Sequence, residues 1–246
     1  AAAVGGGRPR GCARRAGGDG GARRAADMTV GVQVGQEIPD FRCQTQNGEI
    51  GLHDYITGSW CVFFSHPADF TPVCTTEFGM VAKLKEEFEA RNCKVLGLSR
   101  NTVESHEAWI KDINETQETE VDFPIIADED SEISTLLGVC NADSEIVNRT
   151  LFIIDPNRKV QLNMVYPANT GRNFYEVIRC LDSLMLTEYH QVGTPANWKA
   201  GEDVLILPEV SNDSALEIFP KGFSVIKPYL RITPMPDFSD GPLAMQ

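Results

Sequence analysis

The sequence has no hydrophobic run long enough to span a membrane and no residue spacing that is typical of a metal site. Its continuous apolar stretches, at residues 60–64 and 151–154, have only four or five residues, whereas a membrane-spanning helix needs about 20. There is no C-x-x-C pair, and the four histidines do not fall at metal-ligand spacing with cysteines. We therefore expect no integral membrane association, no metal and no cofactor.

Cysteine is present, but not in the number or the pattern of a disulfide framework. The seven cysteines are an odd number with irregular spacing, and a chain of 246 residues is long enough to fold without disulfides. A reducing compartment is favoured, and we expect the protein in the cytoplasm. The cysteines are Cys12, Cys43, Cys61, Cys74, Cys93, Cys140 and Cys180.

Positive charge is scarce beyond the first part of the chain. The formal net charge is −13, although residues 1–27 contain six arginines and only two aspartates. An acidic body repels phosphate backbones, so we expect no nucleic acid partner. Residues 1–28 are mostly Ala, Gly and Arg, a composition that predicts a disordered leader. Two alternatives are an organelle transit peptide, which would change the localisation, and an extension ahead of a native start at Met28.

From residue 35 onward, strand-like and helix-like segments alternate. Apolar residues at helical intervals predict helices after Cys74 and late in the chain, where Asn173 or Thr170 is expected to cap the last long helix. The order is mostly βαβα, which predicts an α/β three-layer sandwich with a central mixed sheet and helices on both faces. The predicted strands are 60–64, 95–98, 124–127, 151–154 and 160–165, and shorter helices are predicted at 103–113 and 133–137.

The amino-acid composition changes after His190, where Gly and Pro become frequent and only short apolar patches remain. We expect a main domain at residues 31–188, a small loop-rich C-terminal domain at 189–236 and a tail at 237–246. About 50 residues seldom supply an adequate core alone. The small domain is therefore expected to pack on the first domain or on a second subunit.

Cys74 follows a predicted buried strand and, as the periodicity predicts, directly precedes an amphipathic helix. Unpaired backbone N–H groups and the helix dipole stabilise a thiolate at such a position. Thr71, three residues upstream, is a candidate hydroxyl donor for an oxygen that leaves with negative charge. The alternative is that Cys74 is an inert, buried apolar residue. The polar loop around it, with Pro67 and Pro72, favours a reactive thiol at the sheet edge where ligands bind.

The segment P-A-D-F-T-P-V-C-T-T-E, residues 67–77, resembles the active-site signature of the peroxiredoxins, in which Pro, Thr or Ser, and Cys follow at fixed spacing. Similarity to the one-cysteine peroxiredoxins of the peroxiredoxin 6 group, within the AhpC/TSA family, extends over residues 31–236. It includes residues 65–67, 166–168, 170–174 and 219–222. The resemblance implies a thioredoxin-like fold and an enzyme that reduces hydroperoxides.

The resemblance also implies a role for each residue that matches the family pattern. Cys74 would be the peroxidatic nucleophile, Thr71 its hydroxyl partner and Pro67 a shield that limits water at the sulfur. Arg149 matches the arginine that holds the thiolate and the peroxide oxygen, and Arg172 matches a second, more peripheral arginine.

Three of the residues near this pattern have two interpretations each. Without the resemblance, Arg149 would be a surface arginine at a strand edge. His66 is either a core imidazole or a proton and hydrogen-bond partner near the pocket. Glu77 either orients an arginine or is a solvated carboxylate in the first turn of the helix.

The implied product on the enzyme is a sulfenic acid at Cys74, which a second thiol must reduce. Two-cysteine relatives place a resolving cysteine where this sequence has Thr194, and no cysteine follows Cys180. An external thiol is then required, because the cysteines of the main domain other than Cys74 are interpreted as packing residues: Cys43, Cys61, Cys93, Cys140 and Cys180. The resemblance implies glutathione with a glutathione transferase partner, lipid hydroperoxides among the substrates, a homodimer, and a role in antioxidant defence and redox homeostasis.

Two other functions remain open at this point. Some peroxiredoxin 6 proteins carry phospholipase activity attributed to Ser, His and Asp, and Ser59 and His53 match the first two. Asn157 stands at the aspartate position, with Asp155 two residues away, and asparagine cannot stabilise an imidazolium as a carboxylate does. Phospholipase activity is therefore not favoured. The second alternative is a redox sensor, in which oxidation of Cys74 changes an interface instead of supporting turnover.

Overall fold

The computed structural model describes residues 31–140 and 147–237. The predicted disorder of the leader at residues 1–28 falls outside the described residues, as does the tail beyond residue 237. Within the two described ranges, no helix combines the length and the apolar character needed to cross a bilayer.

A mixed sheet of seven strands forms the centre of the fold. Its strands are β1 (Arg42–Thr45), β2 (Gly48–Gly51), β3 (Trp60–Ser65), β4 (Cys93–Ser99), β5 (Ile125–Ala127), β6 (Arg149–Ile154) and β7 (Val160–Tyr166). Their order in space is β2-β1-β5-β4-β3-β6-β7, with β3, β4 and β5 parallel and the other neighbouring pairs antiparallel. The five predicted strands are therefore confirmed, and β6 and β7 pair antiparallel across a turn that begins at Asp155.

Helices cover both faces of this sheet. They are α1 (Leu52–Ile56), α2 (Pro72–Lys83), α3 (Lys85–Glu89), α4 (Val103–Gln117), α5 (Glu132–Leu136) and α6 (Phe174–Tyr189). Successive residues of a strand point to opposite faces. Accordingly, Trp60, Val62 and Phe64 of β3 belong to one apolar cluster with α2, α4 and α6, whereas Cys61 and Phe63 belong to a second cluster with α1 and α5. The predicted three-layer α/β sandwich is confirmed.

The helix around Cys74 begins earlier than its apolar periodicity predicts. It starts at Pro72, so Cys74 is the third residue of α2 and lies inside the first turn instead of ahead of the helix. Proline suits this place because its ring fixes a helical φ and its missing N–H would have no partner in the first turn. The apolar repeat becomes visible only at Phe78, because the first turn consists of Pro72, Val73, Cys74 and Thr75 and carries no large apolar side chain.

The predicted cap of α6 is resolved in favour of Asn173. Its Oδ1 accepts hydrogen bonds from the backbone N–H groups of Tyr175 and Glu176, at 3.0 and 3.2 Å. These are two of the N–H groups that the first turn of a helix leaves unpaired. The cap fixes where the chain turns into α6, directly after Arg172.

Residues 192–233 form a second, four-stranded sheet with an apolar cluster of its own. Its strands are β8 (Val192–Gly193), β9 (Val204–Ile206), β10 (Ser224–Lys227) and β11 (Leu230–Thr233), in the order β10-β11-β9-β8, and α7 (Asn212–Ile218) lies between β9 and β10 in the chain. The cluster contains Trp198 and Phe219 and also Leu186 of α6. Helix α6 thus contributes to the apolar core of the small C-terminal unit, as expected for a unit of this size. The domain boundary at residue 188 stays a prediction.

Candidate active site

The thiol of Cys74 is held in the first turn of α2, just beyond the end of the central strand β3. The residue is completely buried, with 0% of its surface exposed. The N-cap Thr71 has an extended backbone, and its carbonyl accepts the N–H of Thr75 at 3.0 Å, which closes the first turn. The positive end of the twelve-residue helix therefore lies at the sulfur, where it stabilises a thiolate.

Arg149, the first residue of β6, contacts the sulfur directly. Its Nη1 atom lies 3.2 Å from Cys74 Sγ and donates to Glu77 Oε2 at 2.7 Å. Its Nε atom donates to the carbonyl of Ala168 at 2.7 Å. The side chain is 2% exposed, so it is not the surface arginine at a strand edge that the sequence left as an alternative. The guanidinium is fixed on both sides, with one N–H edge turned towards the sulfur.

Glu77 holds two arginines at once. Its carboxylate accepts the 2.7 Å bond from Arg149 and three more from Arg172, from the backbone N at 2.7 Å, from Nε at 2.9 Å and from Nη2 at 2.7 Å. The side chain of Glu77 is 2% exposed and that of Arg172 is 0% exposed. Arg172 is buried and joined to the site through Glu77, so its more peripheral role stays a prediction, whereas Glu77 is not a solvated carboxylate.

The charges of this cluster do not cancel while Cys74 is a thiol. Arg149 and Arg172 contribute two positive charges and Glu77 one negative charge, all buried. One positive charge remains beside the sulfur, and a thiolate would neutralise it. Together with the helix dipole, this excess attracts an oxygen that carries negative charge.

Thr71 and Pro67 line the loop that leads into α2. The hydroxyl of Thr71 donates to the carbonyl of Ala68 at 2.9 Å and does not bond to the Cys74 sulfur in this state. Pro67 is half-buried, directly after the buried His66. The structure thus places both residues in the connection between β3 and the nucleophile, and the roles that the resemblance implies for them stay predictions.

The ring of His66 is bonded to Asp69 and stacked on Trp109. Its Nε2 atom bonds to Asp69 Oδ1 at 2.8 Å, and its ring stacks on Trp109 with 5.1 Å between ring centroids. Burial lowers the pKa of His66, with hydrogen bonding to Asp69 opposing the shift, so the ring is neutral near pH 7. These contacts match the interpretation of His66 as a core imidazole, and its Nδ1 atom has no hydrogen-bond partner in the described chain.

Two family models match most of the described chain. The AhpC/TSA family matches residues 34–163, and the C-terminal domain of 1-Cys peroxiredoxin matches residues 183–222. A 1-Cys peroxiredoxin of Dictyostelium discoideum is 48% identical over 208 residues, which cover 84% of this chain and 86% of the relative. Peroxiredoxin-6 of Gallus gallus is 44% identical, with 84% of this chain and 99% of the relative covered. The chain belongs to the peroxiredoxin family.

Solved structures of peroxiredoxins share the fold. A cysteine-to-serine mutant of the peroxiredoxin 6 of Arenicola marina superposes with a TM-score of 0.81 at 39% identity, covering 84% of this chain and all of that one. A yeast mitochondrial 1-Cys peroxiredoxin, whose thiol is resolved via glutathione/thioredoxin systems, has a TM-score of 0.78 at 46% identity, with 82% and 99% covered. The thioredoxin-like fold is therefore confirmed, and this peroxiredoxin is an enzyme of the one-cysteine type.

The residues that match a phospholipase site are engaged elsewhere in this peroxiredoxin. Ser59 is buried, and its hydroxyl donates to Asn92 Oδ1 at 3.4 Å. The ring of His53 bonds to the carbonyl of Ile38 through Nε2 at 2.7 Å and lies 3.2 Å from Arg158 Nη1 through Nδ1. Asp155 accepts hydrogen bonds from residues 159 and 161, and Asn157 is exposed. No serine–histidine–aspartate relay is formed among these described residues.

Three of the other thiols of this peroxiredoxin are in surroundings that disfavour the thiolate needed to resolve a sulfenic acid. Burial raises the pKa of Cys43 and of Cys93 to about 12. Burial, reinforced by Glu176, raises the pKa of Cys180 to about 11. A thiol must ionise to attack, so these residues react slowly at neutral pH. Thr194, at the position of a resolving cysteine, bonds to the hydroxyl of Ser183 at 2.6 Å.

Sequence reasoning missed Asp69 and His106, which meet His66 behind the catalytic loop. Asp69 Oδ2 accepts from His106 Nδ1 at 2.8 Å, and Asp69 Oδ1 accepts from His66. A signal was available, because Asp69 follows β3 and His106 follows β4. Neighbouring parallel strands end at the same edge of a sheet, so the polar residues that follow them meet there.

Proposed function

We propose that this peroxiredoxin reduces hydrogen peroxide and organic hydroperoxides, lipid hydroperoxides among them, through a sulfenic acid at Cys74. The observation that carries the proposal is the 3.2 Å contact between Arg149 Nη1 and Cys74 Sγ, inside a cluster with one uncompensated positive charge. Such a guanidinium holds the thiolate and then meets the negative charge that develops on the oxygen that leaves.

The chemical step transfers one oxygen atom to sulfur. The Cys74 thiolate attacks the nearer peroxide oxygen, an S–O bond forms and the O–O bond breaks. The other oxygen leaves as hydroxide or alkoxide and takes up a proton to give water or an alcohol. Arg149 stabilises both the thiolate and the transferring oxygens, the Thr71 hydroxyl donates a hydrogen bond to them after releasing Ala68, and Pro67 limits water at the sulfur.

Recycling requires two thiols from outside the chain. A first glutathione attacks the sulfenic sulfur, releases water and leaves a mixed disulfide, and a second attacks the glutathione sulfur and restores Cys74 as a thiol. The high pKa values of Cys43, Cys93 and Cys180 support an external donor. The yeast relative, resolved via glutathione/thioredoxin systems, supports the same class of reductant. We assign the protein to cytoplasmic antioxidant defence and redox homeostasis, with a glutathione transferase as partner.

A homodimer is the expected assembly. β7 is an edge strand of the central sheet, with Val165 63% exposed, and the hairpin of the small sheet exposes Tyr229 at 74% and Val225 at 54%. Exposed apolar residues beside an unpaired strand edge are typical of subunit contacts. Light scattering coupled to size-exclusion chromatography should give twice the mass of the chain, and a monomer mass at micromolar concentration would contradict this part of the proposal.

The peroxidase proposal is tested by stopped-flow oxidation of the reduced protein with hydrogen peroxide, followed by tryptophan fluorescence and by counting remaining thiols. Wild type should lose one thiol rapidly, Cys74→Ser should lose none in that phase, and Arg149→Ala should react about 10²- to 10³-fold more slowly. Arg179→Ala, which removes a partly exposed arginine paired with Glu176, is the matched control and should react like wild type.

The reductant is tested in the same protein by steady-state turnover. Peroxide consumption should continue with glutathione, increase when a glutathione transferase is added, and cease in Cys74→Ser. A wild-type oxidation rate close to that of free cysteine, indifferent to Cys74→Ser and Arg149→Ala, would overturn the peroxidase proposal and favour a redox sensor.

A further inference from the structure

The loop between β3 and α2 is anchored by a single carboxylate, that of Asp69. Although it lies in a connection, Asp69 is only 5% exposed. Its carboxylate accepts hydrogen bonds from His66 Nε2 at 2.8 Å, from His106 Nδ1 at 2.8 Å and from Ser105 Oγ at 2.7 Å. Its backbone N–H donates to Asn101 Oδ1 at 3.0 Å. The start of the catalytic loop is thereby tied to the end of β3 and to the first turn of α4.

The hydrogen bonds keep this buried carboxylate ionised. Burial by itself would raise the pKa of Asp69, but the hydrogen bonds from His106 and His66 outweigh it and hold that pKa well below its usual range. The pKa of His66 is lowered, chiefly by burial and in part by the nearby Arg172 guanidinium, although its hydrogen bond to Asp69 opposes the shift. Near neutral pH, His66 therefore remains a neutral donor through Nε2 and Asp69 an acceptor.

The same face of α4 also holds the other end of the loop. Trp109 Nε1 donates to Thr75 Oγ1 at 3.1 Å, and that hydroxyl donates to the carbonyl of Thr71 at 2.9 Å. His66 stacks on Trp109, so the two attachments are in contact with each other. The segment from Asp69 to Thr75, which includes Cys74, is therefore hydrogen-bonded to α4 at both of its ends.

Between the two attachments the backbone adopts an unfavourable conformation. Phe70 has a φ of +55°, the left-handed region that a bulky side chain rarely occupies. Its side chain is 55% exposed, so burial does not compensate for the conformation. The conformation is maintained by the buried neighbour Asp69 on one side and by the start of α2 on the other. Removal of the anchor would let the loop relax.

We propose that Asp69 is a positioning residue for the peroxidase reaction. Through His66, Ser105 and His106 it fixes the path of the loop, and so the place of Thr71 and Cys74 against Arg149. The inference rests on the proposed peroxidase function of Cys74. Asp69 touches neither the sulfur nor the peroxide, and it acts on the rate only through the geometry of the loop.

The test uses two substitutions of His106 that differ in which ring nitrogen they replace. His106 donates to Asp69 through Nδ1, which is bonded to Cγ, and the amide nitrogen of asparagine is also bonded to Cγ. The amide nitrogen of His106→Asn therefore still donates to Asp69. In His106→Gln the amide lies near the position of Nε2, so the hydrogen bond to Asp69 is lost. Asp69→Asn removes the carboxylate itself. Each variant is compared with wild type by near-ultraviolet circular dichroism and thermal unfolding.

Two rates are measured on the reduced proteins, oxidation of Cys74 by hydrogen peroxide and alkylation of Cys74 by iodoacetamide. We expect Asp69→Asn and His106→Gln to lower the peroxide rate constant about tenfold or more, because a displacement near 1 Å costs up to about a hundredfold. His106→Asn should stay within about threefold of wild type. Alkylation, which needs no aligned arginine, should fall far less than peroxide oxidation, and a loss of general stability would not create that difference.

Two results would overturn the inference. One is an Asp69→Asn variant that is folded and reacts with peroxide at the wild-type rate, and the other is an equal rate for His106→Asn and His106→Gln. If the His106 variants do not fold, Ser105→Ala removes one donor from a partly exposed site and decides the matter by the same two rates. Failure of the peroxidase proposal gives a result distinct from these two, because the wild-type protein itself would then react with hydrogen peroxide no faster than free cysteine.

Discussion

Replacement of Glu77 by glutamine separates two effects that the active site combines. The carboxylate accepts four hydrogen bonds from Arg149 and Arg172, between 2.7 and 2.9 Å long. Glutamine keeps one acceptor oxygen and turns an NH₂ group towards a guanidinium. On charge alone, Glu77→Gln should help the thiolate, because two positive charges would remain beside Cys74. On geometry, it should harm the reaction, because Arg149 loses the group that orients it.

The expected magnitudes favour geometry. Removal of one partner from a buried ion pair costs about 3–5 kcal/mol, since the other charge stays buried and unpaired. Folding of a domain is typically stable by about 5–15 kcal/mol, so Glu77→Gln should still fold. A displacement of Arg149 by even about 1 Å from the sulfur can reduce the rate up to about a hundredfold. We therefore expect a destabilised protein that reacts with hydrogen peroxide at least about tenfold more slowly.

The assay is urea unfolding for stability and stopped-flow oxidation for the rate, with Glu176→Gln as control. Glu176 also pairs with an arginine, but its side chain is 39% exposed, so its loss should cost no more than about 1 kcal/mol and leave the rate unchanged. A Glu77→Gln variant as stable as the control, or one that reacts faster than wild type, would refute the reasoning from geometry.

Three further predictions follow from groups outside the catalytic cluster. Because burial raises the pKa of Cys43 and Cys93 to about 12 and, with Glu176, that of Cys180 to about 11, peptide mass spectrometry should find these thiols unlabelled by iodoacetamide at pH 7. Because burial lowers the pKa of His66, the unfolded chain binds the proton first as pH falls below about 6.5, so the free energy of unfolding should drop with a slope approaching about 1.4 kcal/mol per pH unit. His66→Gln should remove that slope, and an unchanged slope would contradict the assignment. Ser59→Ala should leave phosphatidylcholine hydrolysis at its wild-type level, because the phospholipase residues form no relay.

Much of the fold was predictable because the buried strands and the amphipathic helices leave a local pattern. The six residues of β3 are all buried, and such a strand appears in the sequence as a continuous apolar run. The start of α2 was not predictable from periodicity, because its first turn, residues 72–75, contains proline, cysteine and threonine, and the apolar repeat begins only at Phe78. β1 was also missed, since only every second residue of its four is buried.

Of the candidate site, the sequence by itself predicted Cys74 as the nucleophile together with its immediate neighbours, because Pro67, Thr71 and Cys74 lie within one short segment whose spacing is local. Only the tertiary structure decided that Glu77 joins Arg149 to Arg172, 72 and 95 residues further along the chain. It also decided that Asp69 meets His106, 37 residues away. Contacts of this kind depend on strand order and helix packing, which place distant residues at one edge of the sheet, and no local pattern records them.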